Sequence, residues 1–512
     1  MVTLLGVFIV LLCSKLLLAL FKFFYKFWWV PTRIKYVMNS QGIRGPRYSF
    51  IYGNNKEISN MITESTSFPM DISHYTFPRV QPHIDSWLRI YGKNILYWQG
   101  PQAELVVTEP KLLREIMNVR EISMGKVEVW PIYNKMLGGG LVFSQGDKWA
   151  KQRKLATHAF NGERLKNIVP ATIESVEVML KRWNDVGTKE KEVYKEFKTM
   201  TSEVISRIVF GSSYEQGKQI FEMQGALSLL AAKNMSQTRL PGFGMIFKDK
   251  DDLETEKLLA SIRDLIMQMI SEREKKMISG DEENSGIDYL GILLKARHDI
   301  DDNYKLSIQD VIDECRTFYI AGHGTISLLL TWVTLLLAIH TEWQEKARKE
   351  VQEVFGSQNP SSEGLARLKK MGMIINETLR LYPPGICVTR KVLKETRVGN
   401  LVLPPNLSIQ IPTLALHHDI EIWGEDAHLF KPQRFSEGVA NIVNNNPGAF
   451  IPFGYGPRIC VGANYAINEA KITLAMILQR YRFSLSPNYV HAPVQCITFR
   501  PNFGVQIMFQ AL

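Results

Sequence analysis

Apolar and polar positions are distributed unevenly along this chain. Val2 to Phe21 is almost continuously apolar, interrupted by Lys15, and roughly 20 such residues suffice to cross a bilayer. Lys15, Lys22 and Lys26 share one helical face, from which their stems can reach toward headgroups. Trp28 and Trp29, with Tyr25 close by, suit a membrane interface. A cleavable signal would place its basic residues first and end on small ones, the reverse of this order. Pro31 is read as the end of the span, residues 31–50 as a polar hinge and 51–512 as one domain. From about residue 110 to 390 the apolar positions recur with helical period. Strand-like runs (LVVTEP from Leu105, NLVLPPNLSIQIP from Asn400, FGVQIMF from Phe503) lie nearer the two ends. The expected fold class is mainly α with minor β: a single large helical domain behind an N-terminal transmembrane helix. Ser279–Gly286 and Asn444–Gly448 read as surface loops. The apolar run Phe318–Ile339 reads as a buried core helix, not a second span, because charged residues flank it closely and His323 lies inside it.

Composition narrows the picture. Lys and Arg number 61 against 51 Asp and Glu, a net charge of +10, which favours acidic partners or an anionic lipid surface. There is no dense basic block, so no nucleic-acid partner is expected. The five cysteines (Cys13, Cys315, Cys387, Cys460, Cys496) are widely spaced with no CxxC, which argues against a disulfide framework and for a reducing compartment. Positive charges after the span place the remainder on the cytosolic side. The sequons at Asn234, Asn376 and Asn406 then carry no meaning.

The densest local signal is FGYGPRICVG, Phe453 to Gly462. Glycines at 456 and 462 suit a backbone turning tightly around one sulfur. An amphipathic helix follows, so Cys460 stands at a helix N-terminus that favours negative charge. Phe453 can pack on a flat cofactor, and Arg458 can pair with a carboxylate. An isolated cysteine in such a turn would be read as an inert buried thiol, and no second Cys or His lies at zinc-ligand spacing.

The whole pattern, F-x-x-G-x-R-x-C-x-G, resembles the haem-binding loop of the cytochrome P450 family. The resemblance implies haem b with the Cys460 thiolate on the iron, favouring O–O cleavage, and with Phe453, Gly456 and Arg458 around it. Other segments agree in order. Glu377 and Arg380 in NETLR, with Arg434 in FKPQRF, resemble the family's structural triad, which belongs to folding and not to chemistry. Trp149 and Arg153 in WAKQR resemble a propionate-binding helix turn, and Arg390 stands where the family often adds another propionate contact. Ala321-Gly322-His323-Gly324-Thr325 resembles the oxygen-activation segment. Ala321 and Gly322 would let that helix open near the iron, and Thr325 would hold the proton-delivery water. Gly324 departs from the family's usual acid, and His323 or water is expected to take over part of the relay.

WWVPTRI and QGIRGPRYSFIYGN resemble the plant clan that includes gibberellin, brassinosteroid, cytokinin and triterpenoid oxidases. The family implies a monooxygenase on the endoplasmic reticulum membrane, single-pass and facing the cytosol. LGGGLVF lacks the spacing of a nucleotide fingerprint, so electrons from NADPH must arrive through a separate reductase. Ala321, Ile386, Val388 and Ile497 are the expected contacts for a small apolar substrate (terpenoid, steroid-like or fatty). Two other functions stay open: a haem-thiolate isomerase or dehydratase needing neither O2 nor NADPH, and a non-catalytic haem-binding membrane protein.

Overall fold

A computed structural model of the chain describes residues 2–127, 135–162, 165–185, 189–211, 214–235, 249–279, 288–299, 305–445 and 448–512. Most of the Ser279–Gly286 loop and the centre of Asn444–Gly448 lie outside the described residues.

Helix α1 (Val2–Phe24) presents apolar side chains outward on all sides, as a lipid-facing helix would. A π-helical turn, Tyr25–Trp29, leads directly into α2 (Val30–Asn39). Pro31 therefore does not end the helix. It stands just after that π-helical turn, and the helix runs on to Asn39. The expected polar hinge is also corrected. Ile34, Met38 and Ile43 are buried in a core beneath the sheet. The Gln41 side chain donates to the Val402 carbonyl (2.9 Å) and accepts from its N–H (2.6 Å). Residues 31–50 are docked onto the domain, not slung below it.

The sheet has five strands: β1 (Asn94–Gln99), β2 (Gln102–Val107), β3 (Met124–Gly125), β4 (Cys387–Val392) and β5 (Ser408–Pro412), in the order β1-β2-β5-β4-β3. β2 and β5 pair in parallel with Glu104 opposite Ser408, and the remaining pairs are antiparallel. Helices build the rest. Five that reach the cavity described below are α3 (Gly146–Ala159), α4 (Val193–Phe210), α6 (Ile308–Ile339), α7 (Lys369–Leu381) and α8 (Ala463–Arg480), while α5 (Tyr214–Met235) packs against α6 outside the cavity lining.

α6 is the axis of the larger core. A capping box starts it: Ser307 Oγ accepts from the Asp310 N–H (3.1 Å) and the Asp310 carboxylate accepts from the Ser307 N–H (3.0 Å). Every side chain from Ile326 to Ala338 is buried, so this apolar helix is core, as its flanking charges and internal histidine predict. The three strand-like runs all form strands, whereas Asn94–Gln99 and Tyr481–Leu485 were not legible as strands.

Candidate active site

Between α6 and the Phe453–Gly462 loop lies a cavity of about 480 Å³. Cys460 lines it, held by short-range bonds. Its N–H donates to the Phe453 carbonyl (2.9 Å), and the Ile459 N–H donates to Gly456 (3.0 Å). Gly456 has φ +76°, and a Cβ there would stand 2.8 Å from the Met117 carbonyl oxygen, so only glycine fits. Gly462 has an ordinary φ of −94° and caps α8. Its role is the N–H it offers to the Cys460 sulfur, not a special turn. Burial pushes the Cys460 thiol up, opposed by that N–H and by the Arg153 charge. Arg153, from α3, also donates to the Ile459 carbonyl (2.6 Å), tying the loop to the helix that carries Trp149.

A cluster of cations lines the same cavity: Lys126, Arg153, Arg390 and Arg458. Arg458 pairs with Glu121, donates to the Ser144 carbonyl (2.8 Å) and lies 4.4 Å above the Trp149 ring. Its Nη1 is buried without a hydrogen-bond partner. Burial, then the charge of Arg458, lowers Arg390 to about 10. Burial, then Arg390 and Arg458, lowers Lys126 to about 7. Four cations gathered around an orphaned guanidinium nitrogen, with Glu121 as the carboxylate beside them, leave positive charge under-compensated. A flat cofactor bearing carboxylates, with a metal for the thiol, answers both needs, so the residues fit a haem. Lys126 escaped sequence reading because no motif surrounds it; it becomes visible only once β3 places it beside Arg390.

The opposite wall is α6. Ala321, Gly322, Thr325 and Ile326 line the cavity. Thr325 Oγ1 donates to the Ala321 carbonyl (2.9 Å), and the helix stays α-helical throughout, without the expected opening. His323 contradicts its expected relay role. It points away from the cavity, donates from Nδ1 to the Tyr319 carbonyl (2.5 Å), packs edge-on against Phe221 of α5 and is depressed by burial to about 4. It is a neutral core histidine. Gly324 also lies outside the lining, and a Cβ there would touch nothing within 4 Å. Of the expected substrate contacts, Ala321 and Val388 face the cavity. Ile386 is core at 2% exposure, and Ile497 packs on the main core in the turn after Gln495. Ile205 of α4, Phe318 and Leu329 line the cavity instead, as does a second thiol, Cys387, which burial pushes up to about 12.

The expected triad is in part rearranged. Glu377 and Arg380 form a two-pronged pair (both 2.7 Å) with neither side chain exposed. Arg380 also donates to the carbonyls of His417 (2.8 Å) and Ala427 (2.6 Å), the extra bonds a buried charge requires. Burial still pushes the Glu377 carboxyl up, against Arg380. Arg434 reaches Glu377 only at 3.7 Å; it pairs with Asp426 and donates to the Trp423 carbonyl (2.8 Å). Asp426 is the partner the motif does not announce.

The Cytochrome P450 family model matches residues 80–498. Cytochrome P450 CYP749A22 of Panax ginseng is 54% identical over 98% of this chain and 96% of its own length. Echinocystic acid 23-monooxygenase of Saponaria officinalis is 38% identical over 94% of each. Secologanin synthase 1 of Catharanthus roseus is also 38% identical, over 95% of this chain and 94% of its own. Among solved structures, a retinoic acid-bound cyanobacterial CYP120A1 has the same fold, with a TM-score of 0.74 at 22% identity, covering 86% of this chain and 96% of that one. With the thiol and the cations facing one cavity, and with a match of this extent, the chain belongs to the cytochrome P450 family of haem-thiolate monooxygenases.

Proposed function

We propose that this enzyme inserts one oxygen atom from O2 into an isoprenoid small molecule, with electrons from NADPH delivered by a separate reductase. The observation that carries the reading is the pairing, across one cavity, of the Cys460 thiol with a rim of under-compensated cations. Cys460 is the iron ligand, and Arg458, Arg390, Arg153 and Lys126 hold the haem carboxylates, with Trp149 beneath Arg458. Thiolate-ligated haem supplies the activation of O2 when bound there. The Thr325 hydroxyl spends its proton on the Ala321 carbonyl, so its lone pairs face the cavity and can accept from water. Proton delivery then runs through water anchored on the Thr325 hydroxyl, without His323. The apolar wall of Ile205, Phe318, Leu329 and Val388 suits a terpenoid skeleton, and two relatives are named for isoprenoid chemistry.

α1 is the single membrane span, with the catalytic domain on the cytosolic face of the endoplasmic reticulum. The net charge of +10 suits an acidic reductase surface. Expressed with a plant NADPH–haemoprotein reductase and a terpenoid panel, the enzyme should form product only with both NADPH and O2. Product without NADPH would indicate rearrangement or dehydration instead. Thr325→Val should cut product per NADPH consumed by about tenfold or more. A C-terminal tag cleaved by protease on intact microsomes fits the orientation, and a protected tag refutes it.

A further inference from the structure

LGGGLVF, Leu137 to Phe143, lacks the spacing of a nucleotide fingerprint, yet it is gripped from several sides. Thr317 Oγ1 donates to the Leu137 carbonyl (3.2 Å), Arg316 to Met136 (3.0 Å) and Gln152 of α3 to Gly139 (3.3 Å). A Cβ on Gly140 would collide with Thr317 Oγ1 and stand 2.7 Å from the Asp313 carbonyl, so the segment lies flat against α6. At its end sits Glu314, with no exposed surface. One carboxylate oxygen accepts from the Leu141 N–H (2.6 Å), the other from the Tyr289 hydroxyl (2.7 Å).

A buried carboxyl is costly. Burial pushes Glu314 up to about 7, against the bonds from Tyr289 and Leu141 and the more distant Lys148 charge, while Asp313 adds to the rise. A leucine of similar volume would avoid that cost, and the two bonds that the carboxylate accepts point to a positional task. Leu141, Val142 and Phe143 line the cavity, as does Phe318 of α6, one helical turn beyond Glu314. The Glu314–Leu141 bond therefore fixes where this apolar stretch stands against α6.

We infer that Glu314 is a positioning residue for specificity: by holding the Leu141 amide it places the Leu141–Phe143 wall and so decides which bulky apolar ligands the cavity takes. The inference rests on the cavity being the haem and substrate site. The test uses the full-length haem protein in membranes, with imidazole and phenylimidazole as ligands read by their shift of the haem spectrum. In Glu314→Leu, imidazole affinity should stay within about twofold, while phenylimidazole weakens about tenfold. Glu314→Gln keeps an acceptor for Leu141 and should stay within about 1.5-fold of wild type for both. Amide exchange across Leu137–Ser144 should quicken about tenfold or more in Glu314→Leu and stay near wild type in Glu314→Gln. If Glu314→Leu takes up no haem, Tyr289→Phe replaces it, with an expected loss of about threefold for phenylimidazole alone. Unchanged phenylimidazole affinity in the variant that carries haem, or an equal loss in Glu314→Gln, overturns the inference. A wild-type protein without any haem spectrum would instead refute the cavity assignment, and amide exchange would still report on the Glu314 clasp.

Discussion

The two walls of the cavity are built by different means. The cysteine wall is shaped locally: Phe453, Gly456, Ile459 and Cys460 bond to one another within ten residues, and two positive-φ glycines, Gly454 and Gly456, shape the turn. The α6 wall is assembled at long range. Glu314 holds Leu141 across 173 positions and Thr317 holds Leu137 across 180. Local construction leaves a sequence signature because spacing and residue type are dictated together. Long-range construction leaves none, since each partner taken alone looks like an ordinary helix or loop residue.

Variants can sharpen this contrast. The largest loss should come from behind the cysteine wall. Glu377→Ala strands Arg380 without its partner in a fully buried site, which costs about 3–5 kcal/mol and should leave little folded haem protein on expression. Arg434→Ala should cost less, because its main partner, Asp426, lies toward the surface. Gly456→Ala forces an L-residue into φ +76° against the Met117 carbonyl, an expected loss of about 1–3 kcal/mol in urea unfolding followed by haem absorbance.

Acid should separate the walls. His323, behind the α6 wall, is held by burial at about 4, and His83 and His491 are held at about 4 by the same cause. The unfolded chain binds these protons first, at a pKa of about 6.5. Their contribution is therefore complete above that value and is lost as pH falls toward the folded value, by about 1.4 kcal/mol per group per pH unit. The loop from Phe453 to Gly462 contains no histidine, but at its base His417, depressed by burial to about 3, accepts from the Ile451 N–H (3.0 Å). Amide exchange at decreasing pH, corrected for its intrinsic pH dependence, should thus quicken around α6 and at Ile451 before it quickens from Gly454 to Gly462; simultaneous loosening would contradict the contrast. The smallest effect is expected for His323→Phe, which should leave product per NADPH within about twofold, as its ring faces Phe221 and not the cavity. A large loss of coupling would restore it to the relay.

Legibility followed the same division. The cysteine loop, the Glu377–Arg380 pair and the core status of α6 could be read from local pattern and period. Trp149, Arg153 and Arg390 could be placed only by resemblance, and Lys126 not at all, because the crossover that brings β3 and β4 together has no local mark. His323 misled because a polar residue so near Thr325 looks available, whereas two steps along a helix turn a side chain by about 200°, here away from the cavity and into the core. Pro31 misled for a related reason: proline ends a regular α-helix, but here a π-helical turn stands just before it and the helix runs on from Leu4 to Asn39.

The most direct test of the account uses the two thiols on the cavity wall. The carbon monoxide difference spectrum of the reduced protein in membranes should show the long-wavelength Soret band of thiolate-ligated haem in wild type and in Cys387→Ser, and should lose it in Cys460→Ser. A band that survives in Cys460→Ser, or that disappears in Cys387→Ser with the protein still folded, would contradict the assignment of Cys460 as the ligand on which the rest of the site is arranged.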